Sequence, residues 1–400
     1  MIDPKTAQKI LLDATQVLGW EYWKISSSLG SVLADDVYAP VDMPMFDMSA
    51  MDGYAVRFHL NGDAVFTCID TVQAGDTRLI ELLPGQCVRI FTGAWVPASS
   101  DAVVMQEKAV QNGQLVVVEA SELKKGNHIR YQGSQIREGE RVLEAGQFIH
   151  PAALGFLAGM GVRFVNIYDP VRVAILTTGN ELQTSEHDLE PGKIYESNRI
   201  LLEAALNELN MRSMYARSVA DDAAETRRVI ADLLEKVDVL IITGGISVGE
   251  YDFVGPALAE LGVKTLFYKV AQKPGKPLFV GKLNHKTVFA LPGNPAAVLT
   301  CFYEYVRPCL LKMKGHKKVL LPVQFLPLLQ PVENQSNRAL FLKAKVANGQ
   351  VQILDKQGSD MLHSFALANA LAFIPAETSY AVGDLAEVHL LPLSTMSYGS

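Results

Sequence analysis

The spacing of apolar residues divides the first half of the chain into segments of different character. Apolar positions recur every three to four residues over 3–19 and 26–37, which predicts two helices. From about residue 54 to residue 130, short alternating runs are separated by glycine turns, which predicts a small and mostly β region. Residues 151–161 predict a short helix that closes this half.

The second half alternates predicted strands with predicted helices. Asp169 and Pro170 mark the boundary, because the residue before a proline favours extended geometry and a strand follows at once. Asp222 with Glu225 three residues later is typical of a helix N-terminus. This alternation predicts a parallel sheet covered by helices. The predicted strands cover 171–176, 214–219, 237–242, 264–270 and 287–291, and the predicted helices cover 197–209, 223–235, 253–261 and 295–313.

The last part of the chain returns to short strands. The basic stretch 312–318 is predicted to be a linker, and residues 320–391 carry alternating runs with turns between them. The expected fold class is α/β and β multidomain, with a parallel-sheet α/β domain. Four parts are expected: a discontinuous N-terminal domain over 1–53 and 131–168, a small β domain over 54–130, an α/β domain over 169–315 and a C-terminal β domain over 316–400.

Composition limits the classes of function. The 400 residues carry a net charge of −7 with a pI near 5.7, which argues against broad nucleic-acid binding, since that relies on a basic field. No apolar run approaches the roughly 18 residues of a spanning helix, so we expect a soluble, cytoplasmic protein. The cysteines form no Cys-x-x-Cys pair and are predicted to be buried thiols in a reduced compartment. They are Cys68, Cys87, Cys301 and Cys309.

Glycines and carboxylates gather where three of the predicted strands end. TTGNEL (177–182) places Glu181 after one strand, and TGGISVGEYD (243–252) places Asp252 after another. ALPGNP (290–295) ends a third strand, and its asparagine and second proline predict the start of a helix. Ligands of open α/β sheets bind at the carboxyl ends of the strands. The sequence therefore predicts one crevice for an anionic ligand.

Loop acids and lysines supply the candidate chemistry. Magnesium usually binds one or two carboxylates together with substrate phosphates, and Glu181 and Asp252 suit that role. The alternative for both is an ordinary turn acid, and the alternative for Asp221 or Asp222 is a helix cap. The segment AQKPGKPLFVGKL (271–283) is expected to be a rigid loop with cationic tips, which suits phosphate, although solvated turns are the usual place of lysines.

Several common catalytic motifs are absent from the sequence. There is no Walker A motif and no GxGxxG fingerprint. The histidines form no HExxH, which disfavours catalytic zinc, and the lack of GxSxG disfavours a serine hydrolase.

A series of segments resembles, in order, the signatures of the molybdopterin molybdenumtransferase family, which includes the C-terminal domain of gephyrin. A single glycine loop would be weak evidence, but the ordered set runs across nearly the whole chain and is specific. The segments are DMSAMDGYAV (47–56), RIFTGAWVP with SDAVVMQE (89–107), TTGNEL (177–182), YESNRILL (195–202), TGGISVGEYD (243–252), KPGKPLFVGKL (273–283), ALPGNPAAV (290–298) and QGSDMLHSFALANALAFIP (357–375).

The resemblance implies an L-shaped subunit of four parts that forms a homodimer. It implies insertion of molybdenum from molybdate into adenylylated molybdopterin with release of AMP, assisted by a divalent cation, usually magnesium. By motif position, the catalytic residues would be Asp52, Glu181 and Asp252, and the metal would be served by Glu181, Asp252 and Asp221. Substrate groups would be held or shaped by Thr92, Gly244, Gly245, Ser247, Lys273, Lys276, Pro292, Pro295, Arg338 and Ser364.

The chain departs from the family pattern in one segment. GNHIRYQGSQ (126–135) carries His128 in place of the usual Asn, and Ser134 and Gln135 in place of an acidic pair. A milder change is Asn180, where Asp is common. Weaker metal binding is therefore expected, while the fold is expected to be kept.

Two other functions remain as alternatives. One is adenylyl transfer to molybdopterin, because that enzyme shares the α/β domain, although it lacks the N-terminal and C-terminal parts. The other is a non-catalytic scaffold, since the related domain of gephyrin binds receptor tails. The presence of Asp52, Glu181 and Asp252 favours catalysis.

Overall fold

A computed structural model describes residues 1–186, 188–246 and 252–392. The chain forms two compact units. The larger unit contains Met1–Glu21, Gly30–Ala34 and the chain from Ile167 onward, and the smaller unit contains Tyr22–Leu29 and Asp35–Asn166. Among the described residues, no helix is long and apolar enough to cross a membrane.

The first 168 residues contain two α-helices and twelve strands, with short 3₁₀ turns at Ile25–Ser27, Gln106–Lys108 and Ala120–Glu122. The helices are α1 (Pro4–Ala14) and α2 (Pro151–Gly159). The strands are β1 (Trp20–Lys24), β2 (Val37–Tyr38), β3 (Met48–Ser49), β4 (Gly53–Val56), β5 (Val65–Val72), β6 (Gln86–Ile90), β7 (Ala102–Met105), β8 (Ala109–Asn112), β9 (Leu115–Val118), β10 (Ile129–Arg130), β11 (Arg141–Leu143) and β12 (Phe164–Tyr168).

The smaller unit contains a six-stranded sheet in the order β7-β4-β6-β5-β9-β8. Alternation explains its packing, since Val116 and Val118 of β9 are buried while their neighbours are exposed.

The helix predicted over 26–37 is wrong. Gly30 has φ +78°, which no helix accommodates, and Leu33 is buried through a bridge to Ile167, so its apolar spacing reflects packing.

Residues 169–315 form the alternating part of the larger unit. Its strands are β13 (Val173–Thr178), β14 (Leu182–Gln183), β15 (Ile194–Tyr195), β16 (Ser213–Val219), β17 (Val239–Thr243), β18 (Lys264–Tyr268), β19 (Gln272–Lys273), β20 (Phe279–Leu283) and β21 (Lys286–Leu291). Its helices are α3 (Asn198–Asn207), α4 (Ala223–Lys236), α5 (Val254–Glu260), α6 (Pro295–Cys301) and α7 (Arg307–Met313), with a π-helical turn at Phe302–Val306 between the last two.

The main sheet of the larger unit has the order β16-β13-β17-β21-β20-β18. The first four strands are parallel, β20 pairs antiparallel with β21, and β18 pairs antiparallel with β20. Every residue of β13 and of β17 is buried, as expected for a sheet covered on both faces. Helices α1, α3, α6 and α7 pack in one core, and α4 and α5 pack in the other. The carboxyl ends of β13, β17 and β21 therefore lie side by side.

Two details of the predicted α/β part are wrong. The loop expected over 271–283 contains β20, because Phe279 and Val280 are buried as sheet residues. The linker expected over 312–318 begins inside α7, and Lys314 is 7% exposed with its backbone bonded to Leu310.

The C-terminal part contains the predicted short strands and one helix, α8 (Leu362–Leu367). The strands are β22 (Val323–Pro327), β23 (Val332–Asn334), β24 (Ala339–Ala347), β25 (Gln350–Ile353), β26 (Ala370–Ile374), β27 (Thr378–Tyr380) and β28 (Leu385–Leu390). They form a sheet in the order β19-β24-β26-β28-β22, with β25 on β24. Strand β19 comes from the lysine segment, so this sheet is joined directly to the α/β part.

The prediction of buried thiols is confirmed for three of the four cysteines, and Cys68 is only half-buried. All four are free thiols, and Cys87, Cys301 and Cys309 are buried. Burial raises the pKa of the Cys309 thiol, which keeps it protonated and unreactive.

Candidate functional site

Glycines allow the ends of three parallel strands to meet closely. Gly244 has φ +86° and Gly245 has φ +59°, and both follow β17 directly. A Cβ atom on Gly244 would lie 2.5 Å from the carbonyl oxygen of Thr178 at the end of β13. A Cβ atom on Gly293, after β21, would lie 3.9 Å from the Cα of Gly244. The three predicted strand ends thus form one edge, and its backbone can approach a ligand closely.

Glu181 presents an open carboxylate at this edge. The residue is exposed, and both carboxylate oxygens would lie 2.6 Å from a Cβ atom placed on Gly179, so the acid folds back over that glycine. Its backbone carbonyl accepts a hydrogen bond from the N–H of Ile194 at 2.8 Å. No described residue donates a hydrogen bond or forms an ion pair with the Glu181 carboxylate. Its oxygens are therefore available to a cation.

Asp221 and Asp222 have different partners. Asp222 is the N-cap of α4 and accepts a hydrogen bond from the N–H of Glu225 at 2.7 Å, as its sequence position predicts. Asp221 Oδ2 accepts from the N–H of Asn180 at 3.2 Å, and the N–H of Asp221 donates to Asn180 Oδ1 at 3.0 Å. Asp221 therefore holds the Glu181 loop against the end of β16.

Asp252 lies two residues before α5 and is close to Tyr268 of β18. Burial, and then the charge of Asp252, raise the pKa of the Tyr268 phenol. That phenol donates a hydrogen bond to the carbonyl of Ile246 at 2.9 Å, which fixes Ile246 directly after the two glycines. Ser247 lies outside the described residues.

The lysine segment is held rigidly while its charged ends stay open. A Cβ atom on Gly275 would lie 2.6 Å from Cys301 Sγ, so this turn packs tightly against α6. Gln272 is fully buried, and its amide donates to the carbonyl of Pro274 at 3.1 Å. Lys273 and Lys276 are both exposed. A fixed backbone with ammonium groups that no described residue binds suits a phosphate or another oxyanion.

Arg338 and Ser364 occupy unlike positions. Strand β19 pairs with β24 so that Lys273 lies opposite Leu340, which places Arg338 next to the start of this pairing. Ser364 is 3% exposed, and its hydroxyl donates to the carbonyl of Lys356 at 2.7 Å. In this structure the Ser364 hydroxyl stabilises the chain between β25 and α8, and its role toward an anion stays a prediction.

Pro292 and Pro295 frame the loop after β21, and Ser359 contacts that loop. Pro295 is the first residue of α6, as predicted. Asn294 is the N-cap, but its side chain donates to the hydroxyl of Ser359 at 2.7 Å and makes no capping bond. The Ser359 carbonyl accepts from the N–H groups of the second and third helical residues at 3.1 and 3.2 Å. Sequence reasoning missed Ser359 because it treated 357–375 only as one motif.

A buried lysine fixes the segment that carries Ser359. Lys343 is 2% exposed, and its ammonium donates to the carbonyls of Lys356, Gly358 and Met361 at 2.8, 3.1 and 2.9 Å. Burial lowers the pKa of this lysine. The sequence held a signal for it, because Lys343 lies in β24 on the same face as the buried residues Ala339 and Phe341.

The smaller unit brings Asp52 and Thr92 together. The N–H and the hydroxyl of Thr92 each donate to Asp52 Oδ1 at 2.7 Å. The backbone N–H of Thr92, then its hydroxyl, and further the charge of Arg89 lower the pKa of Asp52, which keeps it ionised. Gly53 is required beside it, since a Cβ atom there would lie 1.9 Å from the carbonyl oxygen of Val104.

The residues that depart from the family pattern also lie in the smaller unit. His128 has φ +52°, and its Nε2 is 3.5 Å from Glu122 Oε2. Gln135 is exposed, and its backbone N–H donates to the carbonyl of Met43 at 2.9 Å. An acid at position 135 would therefore face solvent in this unit.

Three sequence profiles match the chain in succession. The one described as the MoeA N-terminal region, domains I and II, matches residues 2–161. The one described as a probable molybdopterin binding domain matches 174–312, and the one described as the MoeA C-terminal region, domain IV, matches 326–391.

Named relatives and solved structures cover nearly the whole chain. The molybdopterin molybdenumtransferase of Haemophilus influenzae is 32% identical over 89% of this chain and 90% of its own length. That of a Nostoc species is 34% identical over 91% of this chain and 87% of its own length. A crystal structure of a molybdopterin biosynthesis protein from Pyrococcus horikoshii superposes with a TM-score of 0.83 at 29% identity, covering 98% of this chain and 99% of the other.

Proposed function

The chain belongs to the molybdopterin molybdenumtransferase family, and from this premise we propose that it inserts molybdenum from molybdate into adenylylated molybdopterin and releases AMP. A transferase of molybdenum cofactor biosynthesis needs a site for several oxyanions. The observation that supports the proposal is the edge formed by β13, β17 and β21, where the open carboxylate of Glu181 lies beside close-packed glycine backbone.

The proposed reaction places two demands on the protein. Two thiols of the pterin bind the metal, and their two protons leave with one molybdate oxygen as water, so the oxidation state of molybdenum does not change. The phosphoanhydride bond to AMP is broken by water. Both substrates are anions and the chain carries a net charge of −7, so focused cations are needed. Lys273 and Lys276 are exposed on a rigid loop and supply them.

Magnesium is part of the proposal. Among the described residues, no three acids, histidines or cysteines lie close enough to hold a metal by themselves. This fits magnesium, which usually binds one or two carboxylates and completes its shell with substrate phosphates and water. Glu181 and Asp252 would hold the ion, which would neutralise phosphate charge as the anhydride breaks. Asp221 would act on the ion through the Asn180 loop that it holds.

A homodimer is proposed as well. In the shared site that the family resemblance implies, the loop 47–56 of one subunit completes the strand edge of the other. Asp52, held ionised by Thr92, would then act in its partner's site. Mixing inactive Asp52→Asn and Asp252→Asn subunits should recover activity, because one intact site forms in each heterodimer. No recovery after verified subunit exchange would contradict the shared site.

The direct test is AMP release from adenylylated molybdopterin in the presence and absence of molybdate. The proposed function predicts release that depends on molybdate and magnesium, with a product that reconstitutes a molybdenum enzyme lacking its cofactor. An adenylyltransferase would instead consume ATP and form the adenylylated pterin. A scaffold would do neither, and either outcome would contradict the proposal.

A further inference from the structure

Asn198, the first residue of α3, holds the loop that follows β21. Its Nδ2 donates a hydrogen bond to the carbonyl oxygen of Gly293 at 2.7 Å. Asn198 is 8% exposed, and the preceding turn is pinned because Glu196 Oε1 accepts from the N–H of Arg199 at 2.8 Å. The donor that reaches Gly293 is therefore fixed in position.

Only one of the two polar groups in the Asn198 side chain has a hydrogen-bond partner among the described residues. Its Oδ1 is buried and has no hydrogen-bond partner among the described residues. Buried polar groups are nearly always bonded, because an unpaired one destabilises the fold. A residue kept for stability alone would be expected to bond both of its polar groups, so this asparagine points to a functional constraint.

The bond to Gly293 sets the direction of the next amide. The Gly293–Asn294 peptide is trans, so its carbonyl and its N–H point in opposite directions. With the carbonyl turned toward α3, the N–H of Asn294 points away from α3. Gly293 lies near Gly244, where a Cβ atom on Gly293 would be 3.9 Å from the Gly244 Cα. This peptide therefore borders the edge at which the strands end.

The two loop amides remain open, whereas the first amides of α6 do not. The N–H groups of Ala296 and Ala297 are bonded to the carbonyl of Ser359 at 3.1 and 3.2 Å. Within the described part of the chain, the N–H groups of Gly293 and Asn294 have no partner. Successive open backbone amides are good donors to oxyanions.

We propose that Asn198 is a positioning residue that aims the Asn294 amide, beside the open amide of Gly293, at a phosphate of the substrate. The substrate's identity rests on the proposed function, but the anion contact does not. Replacing the donor of Asn198 by an acceptor of the same shape would repel the Gly293 carbonyl and turn this peptide out of place.

The test compares Asn198→Asp with Asn207→Asp, which makes the same charge change at the exposed far end of α3. Inorganic pyrophosphate is titrated into ¹⁵N-labelled protein while the amide resonances of Gly293 and Asn294 are followed. In the parent and in Asn207→Asp, both resonances should shift. In Asn198→Asp the shifts should be lost, pyrophosphate affinity should fall about tenfold, and KM for adenylylated molybdopterin should rise about tenfold, all measured at a temperature where both variants are folded.

Two results would overturn the inference. One is a parent protein in which pyrophosphate shifts neither amide, a readout that does not depend on whether the variant folds. The other is an equal loss of affinity in both variants. If the parent released no AMP while the amide shifts followed the prediction, the proposed function would fail and the role of Asn198 would stand.

Discussion

Two sets of acids in the larger unit differ in how their oxygens are satisfied. Around His389 the acids are fully engaged: His389 Nδ1 lies 2.8 Å from Glu304 Oε1, and its Nε2 lies 3.1 Å from Glu387 Oε1. Their other oxygens accept from Gln8 at 2.9 Å and from Lys5 at 2.7 Å. Glu304 and His389 are 2% and 7% exposed. These charges are therefore paired with one another within the fold.

Glu181 at the strand edge is the opposite case. It is exposed, and no described residue binds its carboxylate. A buried charge must be paired to be tolerated, whereas an exposed acid can stay open for a ligand. The comparison teaches that acids paired within the fold stabilise it. An exposed acid without a described partner at the strand edge instead indicates a ligand-binding site.

The largest effect is expected at the two acids that would hold the magnesium ion. Glu181→Gln and Asp252→Asn each remove an anionic oxygen beside the substrate phosphates, so turnover should fall by about three powers of ten, or about 4 kcal/mol of transition-state stabilisation. The melting temperature of Glu181→Gln should not change, because Glu181 has no partner within the described chain to lose. Cofactor formation at the parental rate in both variants would show that the site lies elsewhere.

The acids around His389 should affect stability and leave turnover unchanged. Glu304→Gln keeps a hydrogen-bond acceptor for His389 but removes the charge from a buried pair, so the free energy of unfolding should fall by about 2–3 kcal/mol. Turnover per folded molecule should stay parental. Urea unfolding followed by fluorescence measures the first quantity. Parental stability would contradict a fold role for this network.

Lys276→Ala tests whether an exposed cation of the lysine segment also binds the substrate. If Lys276 contacts a phosphate, the variant should lose about 1–3 kcal/mol of nucleotide affinity, and the loss should shrink at high ionic strength. The matched control is Lys264→Ala, which removes an exposed lysine from β18. Calorimetric titration of AMP at two salt concentrations decides the point, since equal affinities in both variants at low salt would make Lys276 a solvated turn residue.

The smallest effect is a dependence of stability on pH. Burial lowers the pKa of His389, but Glu304 and then Glu387 raise it more, to about 9. The pKa of His389 in the unfolded chain is lower, near 6.5. The stability that the charged His389 contributes is therefore complete below about pH 6.5 and is lost as the pH rises through about 9. The gap in unfolding free energy between the parent and Glu304→Gln should therefore narrow from pH 7 to pH 10. A constant gap would mean that His389 is not charged in the fold.

The sequence predicted regular elements where the burial pattern is simple. The continuous apolar runs that became β13 and β17, and the cap at Asp222, depend on local rules and were confirmed. The segment 26–37 failed, because its apolar spacing comes from contacts with distant residues. Local periodicity cannot distinguish a helix from chain that is buried irregularly.

The candidate site was predicted in part. Motif order located Glu181, the glycines after β17 and the lysine segment, which the structure brings to connected elements. Asn198 and Ser359 could not be assigned roles from the sequence, because their contacts to Gly293 and Asn294 join residues far apart in the chain. Ser364 shows the converse, since a polar residue in a motif proved to be buried and bonded within the fold.

The most direct test of the contrast between open and satisfied acids is a titration with Mn²⁺, which substitutes for magnesium and is detected by electron paramagnetic resonance. Parent, Glu181→Gln and Glu304→Gln are compared in the presence of AMP and pyrophosphate, under conditions where all three are folded. The account predicts that Glu181→Gln binds Mn²⁺ at least about tenfold more weakly than the parent, while Glu304→Gln binds it equally well. Parental Mn²⁺ affinity in Glu181→Gln, or an equal loss in both variants, would contradict it.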